Sequence, residues 1–327
     1  MNIDFRLQTT HRINMHLNPP NIGTELVTTI DLHFKGLREH VGAFLVRSPE
    51  GPILVECGPA LCLPALEKGL QSHGHSLSDI KHVFLTHIHL DHAGATGACT
   101  RAGATAYVHP RGAPHLVDPS RLMTSASRVF GEELDLHLGW LEPSPENQIV
   151  AVEDGRTIQI GEMSFTAVET LGHASHHHSW LMAYQGERHV FTGDTAGMRL
   201  PGSSFVTLPL VAPELDPVAW LDSIKRVQDL QADRLWLTHF GPVDDQTGFL
   251  EDASIRLDAE CAFLRSLLKD ATEEAPPELI IQRYRSWHSE QARQHEVDLE
   301  ELDTYCSNIH YEANIAGARR WLLRSGS

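Results

Sequence analysis

As far as about residue 249 the chain is written in short apolar runs broken by turn residues. Residues 26–30 (LVTTI), 41–47 (VGAFLVR) and 52–56 (PILVE) have strand length and β-rich composition. Val83–Leu85 is another apolar strand, and residues 104–108, 149–152, 157–160, 164–168, 180–184, 189–191 and 235–237 continue the series. Helical patterns fall between them. One covers residues 64–71, where Pro64 suits a first turn. A small-residue helix covers 96–102. Another covers 217–230, with Val218, Leu221, Ile224, Val227 and Leu230 at helical spacing. Asp154-Gly155 between two strands predicts a hairpin turn. Residues 110–148 depart from this texture and predict an insert of two or three helices ending in the proline-rich LEPSPEN. After residue 250 no strand pattern remains, and ASIRLDAECAFLRSLL and NIHYEANIAGARRWLLR are amphipathic helices. The pattern predicts two parts: residues 1–249, in which sheets are covered by helices on their outer sides, and an α-helical extension at 250–327.

Composition narrows the functional classes. With 41% hydrophobic and 21% charged residues the chain is globular, which excludes wholesale disorder. A formal net charge of −17 argues against a general nucleic-acid binder, which needs a basic footprint. No run approaches the roughly 20 apolar residues of a membrane-spanning helix. The expected partner is therefore a small-molecule substrate, with no nucleic acid and no membrane. Five cysteines, an odd number without a C-x-x-C pair, read as free thiols of a reducing compartment. Together with a start lacking an apolar leader, they predict a cytoplasmic protein. Trp321, Leu322 and Leu323 in the extension need a surface to pack on, either the core or a second copy in a homodimer.

The 22 histidines point to chemistry. Thr86-His87-Ile88-His89-Leu90-Asp91-His92 follows the strand at Val83–Leu85. On an extended segment His87 and His89 face the same way and can reach one ion. Asp91 and His92 lie just beyond, where Ala93-Gly94 lets the chain turn, and can serve a second ion. Three later segments, each beside a β run, supply completing ligands: Glu169–His178, Phe191–Thr195 and Leu237–Pro242.

In this order the motifs resemble those of the metallo-β-lactamase-fold hydrolase superfamily, over about residues 20–245. The family's T-H-x-H-x-D-H is matched by Thr86–His92, its glycine-histidine loop by Gly172-His173, its T-G-D by Thr192–Asp194 and its final strand-end histidine by His239. The resemblance implies an α/β fold, the αββα sandwich of two facing mixed sheets flanked by helices, with metals at one rim. It implies His87, His89 and His173 on one metal, Asp91, His92 and His239 on a second, and Asp194 bridging. Nitrogen and oxygen donors without cysteine suit two divalent ions, zinc first, with iron or manganese as alternatives. The implied reaction is hydrolysis of a small ester, thioester or lactone by a metal-bridging hydroxide, with Asp91 as the catalytic residue that orients it or carries a proton. The alternatives are a persulfide dioxygenase-like reaction at a single iron on His87, His173 and Asp194, and a phosphodiesterase or ribonuclease of the same fold. The placement of the tail is similar to that of glyoxalase II-like thioesterases.

Three positions depart from the family pattern. Glu56 stands where an aspartate is usual, Leu171 where a proline precedes the glycine, and His176 where a glycine precedes His177. Within His176-His177-His178, His177 is the candidate substrate-binding residue. The insert carries Arg111, His115, Arg121, Met123, Arg128, Phe130 and Trp140 and is expected near the metal rim as a lid.

Overall fold

The computed structural model describes residues 25–132, 134–211, 213–270 and 276–326. The first sheet takes its strands in chain order: β1 (Val27–Asp31), β2 (Gly42–Val46), β3 (Ile53–Val55), β4 (His82–Phe84), β5 (Thr105–Val108) and β6 (Ile149–Ala151). β1 to β3 pair antiparallel, and β3 to β6 pair parallel. β2 and β3 are buried at every residue, which is why they read as unbroken apolar runs. The second sheet begins with β7 (Thr157–Ile160), β8 (Met163–Glu169), β9 (His178–Tyr184) and β10 (Glu187–Gly193). After a two-stranded ribbon, β11 (Met198–Arg199) and β12 (Val206–Thr207), the chain adds β13 (Arg234–Leu237) parallel to β10 and β14 (Gly241–Val243) at the edge.

Aromatic side chains fill the space between the sheets. Phe84 of β4 stacks on Phe165 of β8 with ring centroids 4.1 Å apart, and Phe44 meets Phe191 at 5.3 Å. These rings, with Trp180 and Trp236, form the inner hydrophobic cluster. Outside the first sheet lie α1 (Leu63–Ser72), α2 (Leu90–Ala93), α3 (Thr96–Arg101), α4 (Ala113–Val117) and α5 (Ser120–Phe130), joined by the cluster that includes Leu66, Leu70, Cys99, Leu116 and Met123. Outside the second lie α6 (Pro217–Asp229) and the tail helices α7 (Gln246–Asp270), α8 (Pro277–Arg293), α9 (Leu299–Tyr305) and α10 (Asn308–Ser325). Two sheets face to face with helices on both outer sides is the αββα sandwich.

The tail has no strand among its described residues. It does not pack as a separate body. Val190 and Leu235 of the sheet, Trp220 of α6 and Leu264, Tyr284 and Tyr311 of the tail belong to one buried cluster, with Trp321 packed against it. Leu322 is buried as well, whereas Leu323 is exposed. All five cysteines are free and buried. Among the described residues no helix is long and apolar enough to cross a membrane.

Two expectations are corrected. Asp154-Gly155 is not a hairpin turn, because β6 closes the first sheet and β7 opens the second. The turn sits where the chain crosses between sheets. The Asp154 carboxylate accepts the Glu169 N–H at 2.8 Å and pairs with Arg226 at 2.8 Å. The short strands β11, β12 and β14 were not predicted. The insert is helical, with α4, α5 and a single π-helical turn at Leu134–Leu138. Its Arg111 donates to the Ser175 carbonyl at 3.4 Å, Met123 is buried, and Trp140 is exposed.

Candidate metal centre

β4 ends at Phe84, and the chain leaves the sheet as an irregular segment carrying His87 and His89 before the single turn of α2 carries Asp91 and His92. The second sheet pins that exit. The Leu85 carbonyl accepts from both His178 Nε2 and Trp180 Nε1 at 2.9 Å, and the Thr86 carbonyl accepts the His178 N–H at 2.9 Å. His173 follows β8. Gly172 before it has φ +123°, and a Cβ there would lie 2.3 Å from the Trp220 nitrogen, so only glycine lets α6 close on this loop. The Trp220 ring then stands edge-on to His173 with centroids 5.4 Å apart. Asp194 follows β10, and His239 follows β13.

These residues form two donor groups, one of His87, His89, His173 and Asp194 and one of Asp91, His92 and His239. Within each, one ligand atom per residue lies within 4.8 Å of the others. Asp194 divides its oxygens between them. Oδ2 is 3.1 Å from His173 Nε2 and 3.9 Å from His87 Nε2. Oδ1 is 3.2 Å from His92 Nε2 and 3.4 Å from His239 Nε2. His89 Nδ1 approaches His173 Nε2 at 2.9 Å, and Asp91 Oδ2 is 3.5 Å from His239 Nε2. Asp91 keeps part of its side chain open to solvent, whereas His87, His92 and Asp194 are closed off.

The far side of each ring is tied to the protein. His173 Nδ1 donates to the Pro209 carbonyl at 2.9 Å and His239 Nδ1 to the His40 carbonyl at 2.8 Å. Each such bond places the proton on Nδ1 and turns the Nε2 lone pair inward. His87 Nδ1 lies 3.1 Å from Thr86 Oγ1. His87 Nε2 and Asp194 Oδ1 are buried without a hydrogen-bond partner. Buried polar atoms are rarely left so, and imidazole nitrogens and carboxylate oxygens converging on one space fit a cation. The cluster is compatible with divalent metal binding.

Burial opposes charge on all five histidines. For His87, His89 and His173 it prevails, and their pKa values fall below the usual imidazole range. For His92 and His239 the nearby carboxylates, Asp194 foremost, outweigh burial and raise the pKa. Burial likewise opposes ionisation of Asp194, but His92, His173 and His239 hold its carboxyl well below the usual range.

Glu56 reaches the site in spite of its extra methylene. It is fully buried at φ 61°, in the left-handed region. Its Oε1 accepts from the Thr86 N–H and O–H and faces His92 Nδ1 at 3.4 Å. His177 corrects an expectation. It is closed to solvent, accepts the Asp194 N–H on Nε2 at 3.1 Å, and so donates from Nδ1 to Thr170 Oγ1 at 2.8 Å. With both nitrogens engaged it braces the Asp194 turn and has no ring nitrogen free for a further bond. His176 also borders the first donor group, its ring 5.3 Å from that of His89. The supporting carbonyls of His40 and Pro209 carried no sequence signal, since any residue supplies a carbonyl.

The site and the sandwich together define a class. The model of the metallo-beta-lactamase superfamily matches residues 38–239, and the chain belongs to that superfamily, whose members are mostly metal-dependent hydrolases. The metallo-beta-lactamase fold-containing protein ST1585 of Sulfurisphaera tokodaii is 26% identical over 171 residues, 51% of this chain. The match spans 63% of that relative's own length. Among solved structures, the metallo-beta-lactamase family protein TTHA1429 of Thermus thermophilus superposes with a TM-score of 0.66 at 20% identity, over 92% of this chain and 94% of that one. MEM-A1, a subclass B3 metallo-beta-lactamase from a soil metagenome library, gives 0.55 at 22% identity, over 74% and 94%. At these identities the likeness is one of fold.

Proposed function

We propose that the protein is a hydrolase working with two divalent ions, zinc first, on a small ester, thioester or lactone. The observation that carries this reading is the division of Asp194, one oxygen turned to each donor group. A carboxylate between two positive centres suits a two-metal site, where ions sit about 3.5–4 Å apart. When bound, such a pair acidifies a water and polarises the oxygen of a scissile group. The residues supply the rest. His87, His89 and His173 would hold one ion and Asp91, His92 and His239 the other. Asp91, the part-exposed carboxylate of the centre, would orient a water or take a proton. The acidic surface supports a small-molecule substrate over a polyanion. A single iron on His87, His173 and Asp194 would leave the convergence of Asp91, His92 and His239 without a purpose.

The test is metal analysis of the purified protein and a rate screen over esters, thioesters, lactones and phosphodiesters, on wild type, Asp194→Asn and Asp229→Asn. Asp194→Asn removes the charge and one anionic oxygen. It should lose at least one of two metals per chain and about 100-fold or more in turnover, with the circular dichroism spectrum kept. Asp229 pairs with Lys225 on the surface and should behave as wild type. Full occupancy and full activity in Asp194→Asn would remove the two-metal reading.

A further inference from the structure

The loop that carries His173 rests at three points on one stretch of chain. Pro209 offers its carbonyl to His173 Nδ1 at 2.9 Å. Glu214 accepts from the Ser175 N–H and O–H, each at 2.7 Å. The Asp216 N–H donates to the Gly172 carbonyl at 2.7 Å. Residues 172, 173 and 175 thus rest on residues 209, 214 and 216.

That stretch is gripped from its other side by α10 of the tail. Asn314 is fully buried, and its side-chain amide clamps both neighbours of Pro209: Oδ1 accepts the Leu210 N–H at 2.8 Å, and Nδ2 donates to the Leu208 carbonyl at 2.9 Å. The amide is itself fixed. Nδ2 also donates to Tyr284 Oη at 2.9 Å, and Tyr284 donates to the buried Glu260. Three residues further along α10, Gly317 brings the helix backbone against the stretch, since a Cβ there would fall 1.8 Å from the Leu210 oxygen. At the end of α10, Arg324 donates to the carbonyls of Pro213 and Leu215 at 2.6 and 2.5 Å.

We infer that Asn314 is a positioning residue for the metal centre: through Leu208–Leu210 it sets the carbonyl that orients His173, so the tail tunes the first donor group. The inference rests on the two-metal reading above. An apolar tail needs only packing to stay folded. A buried amide satisfied on both its donor and its acceptor by the backbone either side of one carbonyl instead specifies where that carbonyl points. Partners one step behind a metal ligand fix its tautomer and ring orientation, and their loss costs about 10–100-fold in metal affinity. Asn314 stands one step further back, so the lower end applies.

The experiment is chelator competition with cobalt(II) and zinc(II) on the full chain, giving an affinity for each of two positions. His173→Ala and His239→Ala assign them. Asn314→Leu keeps the approximate volume and removes the clamp. It should weaken the first position about 10-fold relative to the second and alter the cobalt(II) absorption of the first alone. Leu264→Ala is the control, because it removes buried volume from the tail but no hydrogen bond to the stretch. It should lower the melting temperature and leave the ratio of the two affinities unchanged. Arg324→Gln releases the other end of α10 at the surface, and should shift the ratio in the same direction by less, even if Asn314→Leu does not fold. An unchanged ratio in both Asn314→Leu and Arg324→Gln, or an equal shift in Leu264→Ala, overturns the inference while leaving the two-metal reading intact. A wild-type chain that takes up fewer than two metals overturns both.

Discussion

His178 shows how much the surroundings decide about a single residue. Three consecutive histidines have one side chain type and three roles. His176 stands beside His89, His177 braces Asp194, and His178 ties β4 to β9. Sequence could place a histidine run after Gly172-His173 but could not say which ring reaches solvent, because that depends on a strand that begins only at His178. The candidate ligands were legible, since chemistry restricts them to few residue types. Glu56 was legible as a departure, and its reach to Thr86 and His92 was not. His178 also carries a pH dependence. Its Nδ1 is buried without a partner, and burial pushes its pKa from 6.5 down to about 3. Between those values the unfolded chain binds a proton there and the folded chain does not. The stability this histidine contributes is complete above pH 6.5 and is lost as pH falls toward 3. His178→Gln retains a donor for the Leu85 carbonyl but does not titrate. Its unfolding free energy should fall less steeply than that of wild type between pH 6 and 4, by about 1.4 kcal/mol per pH unit. Urea titrations at several pH values measure both slopes, and parallel slopes would exclude a neutral buried His178.

At the scale of elements, apolar runs located the long strands and helices because each has a face to bury. What they missed follows from length and distance. β11 and β12 have two residues each, and β14 has three with a proline at its centre, too short for any periodicity. Asp154-Gly155 signalled a turn correctly, but whether the flanking strands pair with each other is settled by distant partners. β6 has β5, and β7 has β8. The contact between α6 and the His173 loop is one of these long-range fits. Gly172→Ala would need a strained backbone at φ +123° and a methyl group inside the Trp220 backbone. It should cost about 3 kcal/mol or more and displace His173. A lowered denaturant midpoint with weakened metal uptake is expected, and a wild-type midpoint would mean that α6 yields freely.

For the whole molecule, the sequence indicated a helical addition after residue 250, and the structure shows why it stays: it shares one core with the outer face of the second sheet. That sharing was not readable, because an amphipathic helix announces that it has a buried face but not against what. The candidate ligands, too, are distributed. His87, His89, Asp91 and His92 leave the first sheet, whereas His173, Asp194 and His239 leave the second. Neither sheet alone presents a full coordination set, so the proposed ions act as a clasp on the sandwich. Ion binding and the mating of the two halves become one equilibrium. A half-assembled chain offers only a loose chelate, and tight uptake marks the moment the sheets close. Free metal at 100 times its dissociation constant should then raise the unfolding free energy by about 2.7 kcal/mol for each ion bound, and a chelator should remove that increment. A denaturation midpoint indifferent to zinc would mean that the halves hold together without the clasp.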